Sequence, residues 1–173
     1  MKARLSPFVA ALVTLAGCSH PQFVPAPTES SAVVEFRNSS TGYTQQYFFE
    51  DPISCKGPSI ITPMEPSSSK SVRMPSGKPI TIWTSAWGLP APVGMVAWCR
   101  PSAFSTRLVA GRSYRAEFVA DASQKKCGVM LTSIDDQQVK QVARQVDGPE
   151  IAGGPLTKAF SCSQSDDLSE LSR

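Results

Sequence analysis

Apolar and polar residues alternate along much of the chain between residues 32 and 146, and a period of two is typical of β-strands with one face in a core. In 32–37, Val34 and Phe36 share one face and the charged residues beside them share the other. The predicted strands are 32–37, 43–49, 71–74, 79–84, 93–99, 114–120 and 127–134. About seven strands with turn residues between them predict a mostly β fold, a single antiparallel β-sandwich, with a small barrel as the alternative.

The segment 138–146 allows two interpretations. Its apolar residues have helical spacing: Val139, Val142, Ala143 and Val146. Valine nevertheless favours strands, and the turn-forming sequence Asp135-Asp136-Gln137 comes just before it. We therefore expect a hairpin strand here in preference to a helix.

A glycine turn at Gly111 leads into alternating apolar residues, Tyr114, Ala116 and Phe118, which we expect to point inward. This resembles the glycine-then-tyrosine strand entry of many immunoglobulin-like and transthyretin-like bacterial modules. The resemblance implies a β-sandwich of that kind.

The N-terminus has the pattern of a secretory signal peptide. Two basic residues precede a mainly apolar run of about ten residues, which is roughly half the length needed to span a bilayer. The run ends at Leu15-Ala16-Gly17-Cys18, which resembles the lipobox of bacterial lipoproteins. That resemblance implies removal of residues 1–17 and acylation of Cys18, so the membrane is an expected partner through covalent lipid.

Ser19 stands where many inner-membrane lipoproteins of enteric bacteria carry Asp, so the resemblance implies the outer membrane in preference to the inner. Residues 18–31 are rich in proline and small polar residues, which predicts a flexible tether. One domain is expected over 32–146, because about 115 residues suffice for one core. Residues 147–173 are expected to form an irregular tail, held to the domain by Cys162.

Charge argues against a nucleic-acid partner. Loss of Lys2 and Arg4 with the signal peptide leaves 15 basic residues against 14 acidic ones, a net charge of +1. No cluster of Lys and Arg remains to follow a phosphate backbone.

Four of the five cysteines remain in the predicted domain and tail: Cys55, Cys99, Cys127 and Cys162. An even number in an oxidising compartment predicts two disulfides, for which three pairings exist. We expect Cys55 with Cys99 and Cys127 with Cys162. The alternative, a zinc site, usually needs cysteines in close pairs, whereas these lie 44, 28 and 35 positions apart, so no metal or other cofactor is expected.

The sequence favours a protein that is not an enzyme. Its only histidine, His20, lies beside the lipidation site, which excludes a histidine-based triad within the domain. Ser67-Ser68-Ser69-Lys70 matches the serine and lysine spacing of penicillin-binding proteins but lies in a proline-flanked loop.

The alternative to a non-catalytic protein is a small envelope enzyme acting on cell-wall or surface polysaccharide through paired acids. The candidate pairs are Glu50-Asp51, Asp135-Asp136 and Asp166-Asp167.

Tryptophans in the strand that begins near residue 79 form a candidate binding patch. If Ile80 and Ile82 point inward, Trp83 and Trp87 point to the other face, towards solvent or a partner. Exposed tryptophans stack on sugars or anchor protein interfaces. A sandwich core usually absorbs its tryptophans, however, and strand alternation is lost at any bulge, so core packing is the favoured interpretation and the exposed patch is the alternative. The sequence therefore predicts a membrane-anchored binding or structural module, with another envelope protein or a glycan as partner.

Overall fold

The computed structural model describes residues 21–89, 102–121, 126–135, 139–144, 146–147, 161–162, 168 and 171. A short 3-10 helix, Thr28–Ser30, precedes the first strand. The strands are β1 (Ser31–Asn38), β2 (Tyr43–Asp51), β3 (Lys56–Met64), β4 (Ser68–Pro75), β5 (Pro79–Trp87), β6 (Ser102–Arg107), β7 (Ser113–Asp121), β8 (Lys126–Ser133), β9 (Gln141–Arg144), β10 (Val146–Asp147) and β11 (Ser161–Cys162). No helix in the described part of the chain is long and apolar enough to cross a membrane.

The strands form a β-sandwich, as the sequence predicted. A four-stranded sheet has the order β4-β1-β7-β8 and a five-stranded sheet has the order β3-β2-β5-β6-β9. The neighbours in both sheets are antiparallel, apart from β1 and β7, which run parallel. Strands β10 and β11 form a separate two-stranded ribbon.

The core lies between the two sheets and is filled by alternate residues of each strand. Val34 and Phe36 of β1 are at most 1% exposed, as expected. The inward set predicted on β7 is confirmed, since Tyr114, Ala116 and Phe118 are all buried. The Tyr114 hydroxyl accepts a hydrogen bond from the Val109 amide at 3.0 Å, which satisfies its polar end inside the core.

Two strands of the main sheets, β3 and β6, were not predicted from the sequence, nor was the short β11 in the expected irregular tail. Strand β3 contains Gly57, Pro58 and Pro63, which normally indicate turns, but it is an edge strand, where a missing amide donor costs little. Strand β6 is mainly polar, and its buried hydroxyls at Ser105 and Thr106 have hydrogen-bond partners. Ser105 Oγ lies 2.6 Å from Thr81 Oγ1, for example. The predicted strand 93–99 lies outside the described residues.

The segment 138–146 contains strand, not helix, but it does not form the expected hairpin with β8. Strand β9 pairs instead with β6 in the five-stranded sheet, so the chain crosses from one sheet to the other after β8. The next strand, β10, pairs with β11 from the predicted tail.

Residues 21–30 lie against the sandwich, where the sequence predicted a flexible tether. Gln22 forms a parallel bridge with Ile60, and Ile60 N donates to Pro21 O at 2.9 Å. Further along, Ala26 N donates to Arg73 O of β4 at 3.2 Å. The extended, proline-rich backbone thus crosses from edge strand β3 to edge strand β4. Phe23 anchors it by packing edge-to-face on Phe48, with ring centroids 5.1 Å apart.

The expected disulfide pairing is corrected by the structure, which joins Cys55 to Cys162 across 107 positions of sequence. Cys127 is also disulfide-bonded, and its partner is not among the described residues. Cys55 lies in the turn between β2 and β3, and Cys162 lies in β11. The amide of Cys162 donates a hydrogen bond to Ser54 O at 3.2 Å. Spacing along the chain could not reveal this pairing, because it depends on where the tail crosses the sheet.

Candidate functional site

The candidate binding patch was predicted from the alternation along β5, and that alternation is confirmed. Ile80 and Ile82 point into the sandwich core and are 1% exposed. Trp83 and Trp87 are both on the opposite side, the outer face of the five-stranded sheet. Their exposure, however, differs sharply.

Trp83 is not a surface residue, so core packing, the interpretation favoured from the sequence, is confirmed for it and it does not belong to the candidate patch. It is 2% exposed and belongs to a second apolar cluster, formed by Tyr47, Phe49, Cys55, Trp83, Ala103 and Cys162. The rings of Tyr47 and Trp83 are 4.8 Å apart between centroids. The two disulfide-bonded cysteines cover this part of the face, and burial raises the pKa of Tyr47.

Trp87 remains at the surface, and its neighbour there is Tyr43. The two residues are directly opposite each other on β5 and β2. Their rings are stacked, with centroids 6.1 Å apart and an angle of 12° between planes. Tyr43 is 47% exposed and Trp87 is 39% exposed. The exposed aromatic feature of this face is therefore the Tyr43/Trp87 pair, in place of the predicted Trp83 and Trp87.

Tyr43 is held in place by a hydrogen-bonded turn, residues 39–42. The side chain of Asn38 is fully buried, and its Nδ2 donates to Gly42 O at 2.8 Å and to Glu65 O at 2.9 Å. A Cβ atom at Gly42 would lie 2.6 Å from Trp87 O, so only glycine allows the turn to approach the end of β5 this closely. The Tyr43/Trp87 pair therefore stands on a fixed support.

A polar row separates the exposed aromatic pair from the buried one. Gln45 and Ser85 are opposite each other between the two pairs. Ser85 is 1% exposed, and its Oγ has no hydrogen-bond partner among the described residues. This row therefore separates the two aromatic pairs by a buried hydroxyl and a half-buried amide side chain.

Asp51, one member of the candidate acidic pair Glu50-Asp51, does not have the properties of a general acid. Asp51 Oδ1 accepts hydrogen bonds from the amides of Ile53 at 3.0 Å and Ser54 at 3.1 Å. Its other oxygen accepts from the Ser54 hydroxyl, and these bonds lower the pKa of Asp51. A general acid needs a raised pKa, so Asp51 has the chemistry of a turn cap.

The other candidate chemical groups are dispersed. Asp135 is exposed, and Asp136, Asp166 and Asp167 lie outside the described residues. Ser67 is in the turn before β4 and Lys70 is on the strand, both exposed, whereas the serine and lysine motif works at the start of a buried helix. The disulfide consumes the thiols of Cys55 and Cys162, which is incompatible with a zinc site made of four thiolates. Cys18, His20 and Cys99 lie outside the described residues.

Comparison of the chain with protein-family models finds no family that matches, and comparison with curated proteins finds no similar protein.

Proposed function

We propose that this chain is a bacterial envelope lipoprotein whose β-sandwich is a non-catalytic module that binds another envelope component. The observation that carries the binding role is the exposed Tyr43/Trp87 pair on a face whose other aromatic residues, among those the structure describes, are buried. The proposed partner is an envelope protein or a glycan.

The proposed anchor is supported by sequence. The lipobox Leu15-Ala16-Gly17-Cys18 directly follows the apolar run, and acylation of Cys18 would hold the mature protein on the membrane. Ser19 favours the outer membrane, with the domain in the periplasm or at the cell surface.

The chemistry of the Tyr43/Trp87 pair supports recognition. Each ring has an apolar face for a sugar ring or an apolar side chain, and each carries one polar group at its edge. Aromatic residues of this kind are frequent hot spots of protein interfaces. The rigid turn before Tyr43 lowers the entropy lost on binding, because the pair is already held in one arrangement.

Affinity capture from cross-linked envelopes tests the binding role. The baits are the native lipoprotein, a Tyr43→Ala/Trp87→Ala variant and a Met130→Ala variant. Met130 is 53% exposed on β8 in the other sheet and is the matched control. We expect one protein or glycan to be captured by the native and Met130→Ala baits and lost with the double variant. Equal capture by all three baits would contradict the proposed role of the pair.

Metabolic labelling with a palmitate analogue tests the anchor. The native chain should carry the label and sediment with membranes, and Cys18→Ser should abolish both.

A further inference from the structure

We propose, on the basis of the lipid anchor proposed above, that the turn between β2 and β3 rests on the bilayer and that Ile53 contacts lipid. The domain would then keep one end, the β2–β3 turn, at the membrane. It would not rotate freely on a tether. The occupant of this surface is the lipid bilayer to which Cys18 is joined.

The length of free chain limits the distance between domain and membrane. Pro21 is already hydrogen-bonded to the sandwich through Ile60. Only Ser19 and His20 separate it from Cys18, and three Cα–Cα steps of 3.8 Å span at most about 11 Å. The acylated cysteine must therefore lie within about 11 Å of Pro21.

The chain direction of the docked segment, residues 21–30, indicates which end of the domain faces the membrane. Gln22 pairs with Ile60 in parallel, so the direction from Gln22 to Pro21 is the direction from Ile60 towards Lys56. Lys56 is the first residue of β3, immediately after the turn. A strand rises about 3.3 Å per residue, so Ile60 and Lys56 are about 13 Å apart, close to the reach of the free chain. At Pro21 the docked segment is thus directed towards the β2–β3 turn, with the acylated cysteine only three residues further on.

The turn is built to present an apolar side chain rigidly. Ile53 is 65% exposed at its tip. The guanidinium of Arg144 donates to Ile53 O at 3.0 Å, and Asp51 accepts from the Ile53 amide. Cys55 ties the turn to β11 through the disulfide.

Charge gives the β2–β3 turn no added attraction to anionic lipid, because Lys56 is accompanied by Glu50 and Asp51. One exposed isoleucine is common on protein surfaces and by itself indicates nothing. Ile53 is proposed to contact lipid because it lies at the end of the domain towards which the docked segment is directed.

Photo-cross-linking to lipid tests the orientation. The photoreactive residue p-benzoylphenylalanine replaces Ile53, Val24 or Met130 in the full-length lipoprotein, which is purified from membranes. Each protein is reconstituted in vesicles of phosphatidylethanolamine and phosphatidylglycerol and irradiated, and lipid adducts are measured by intact mass. Val24 is 82% exposed on the docked segment, and Met130 is on β8, at the opposite edge of its sheet from β4.

We expect the lipid adduct at position 53 to exceed the adduct at position 130 several-fold. Equal yields at 53 and 130 in acylated protein would overturn the orientation and leave the anchor intact. A larger yield at position 24 than at 53 would also overturn it, because the membrane would then face the edge formed by β3 and β4. Absence of acyl groups from the purified chain would instead contradict the anchor, and intact mass distinguishes that failure from the other two.

Discussion

Asp51 stabilises the β2–β3 turn through hydrogen bonds that require its carboxylate to be charged. Its pKa in the folded protein is below the ordinary value of about 3.9, so its contribution is complete above that pH and is lost as the pH falls through the folded pKa. We expect Asp51→Ala to lower the free energy of unfolding at pH 7 by about 1 kcal/mol.

The matched variant Asp51→Asn separates charge from geometry, since its side-chain oxygen can still accept from the amides of Ile53 and Ser54. Denaturant unfolding of both proteins between pH 7 and pH 3 should show the advantage of the native chain over Asp51→Asn shrinking below about pH 4. A constant difference across this range would contradict the role assigned to the charge.

The two tryptophans of β5 should differ in their contribution to stability. Trp83 is enclosed by the disulfide and Tyr47, so Trp83→Ala should lower the free energy of unfolding by about 3–5 kcal/mol. Trp87→Ala loses mainly a stacking contact at the surface, and about 1 kcal/mol is expected. Guanidinium unfolding of both variants measures the difference, and equal losses would contradict the assignment of one residue to the core and the other to the surface.

Residue-level patterns predicted which side of each strand a side chain occupies, but not what covers that side. The alternation along β1, β5 and β7 is local, and the structure confirms it. The burial of Trp83 depends on Cys55 and Cys162, which are remote in sequence from β5 and from each other. Tyr43 was missed as part of the site for the same reason: its pairing with Trp87 requires the register between β2 and β5.

The docked segment before β1 acts as an additional edge element, anchored by Phe23. Phe23→Ala should lower the free energy of unfolding by about 2 kcal/mol, less than a fully buried phenylalanine, since Phe23 is only half-buried. The Ile60 amide, which donates to Pro21 O, should exchange faster with solvent deuterium. Val24→Ala is the control, because this side chain is 82% exposed and should change neither quantity.

The disulfide holds Cys162 of β11 on the outer face of the five-stranded sheet. Replacing both cysteines in Cys55→Ala/Cys162→Ala opens a loop with a sequence separation of 107. A bridge of this kind typically contributes about 2–5 kcal/mol. Without the disulfide, we expect water to reach Tyr47 and Trp83. The pKa of Tyr47 should then fall towards its ordinary value, and tryptophan emission should shift to longer wavelength. Alkaline absorbance titration and fluorescence measure these changes, and an unchanged Tyr47 titration would contradict the covering role.

Prediction of secondary-structure elements failed where the residue composition indicates a turn or a tether but the segment lies against the edge of a sheet. Strand β3 carries prolines and a glycine, and only its place at a sheet edge makes them acceptable. The prolines of residues 21–27 suggested a free tether, yet their extended backbone offers carbonyls that an edge strand can pair with. In both cases the deciding fact is a neighbour that no local window contains.

At the scale of the whole molecule, consecutive strands repeatedly change sheets. The chain crosses between the sheets after β1, β3, β4, β6 and β8. Strand patterns predict that a sandwich forms, because every strand has one apolar face to bury. They do not assign strands to sheets, and the parallel pairing of β1 with β7 has no local signature. This route brings the β2–β3 turn and the cysteine of β11 together.

The proposed orientation at the membrane depends on the short free chain before Pro21, and lengthening it should release the domain. A linker of twelve Gly and Ser residues inserted between His20 and Pro21 adds a mean reach of about 19 Å. The free energy of unfolding should stay the same, because the docked segment begins after the insertion. The lipid adduct from p-benzoylphenylalanine at position 53 should fall to the level at position 130, which serves as the control. An undiminished adduct at position 53 would mean that the turn binds lipid by its own affinity, without the short anchor that the proposal requires.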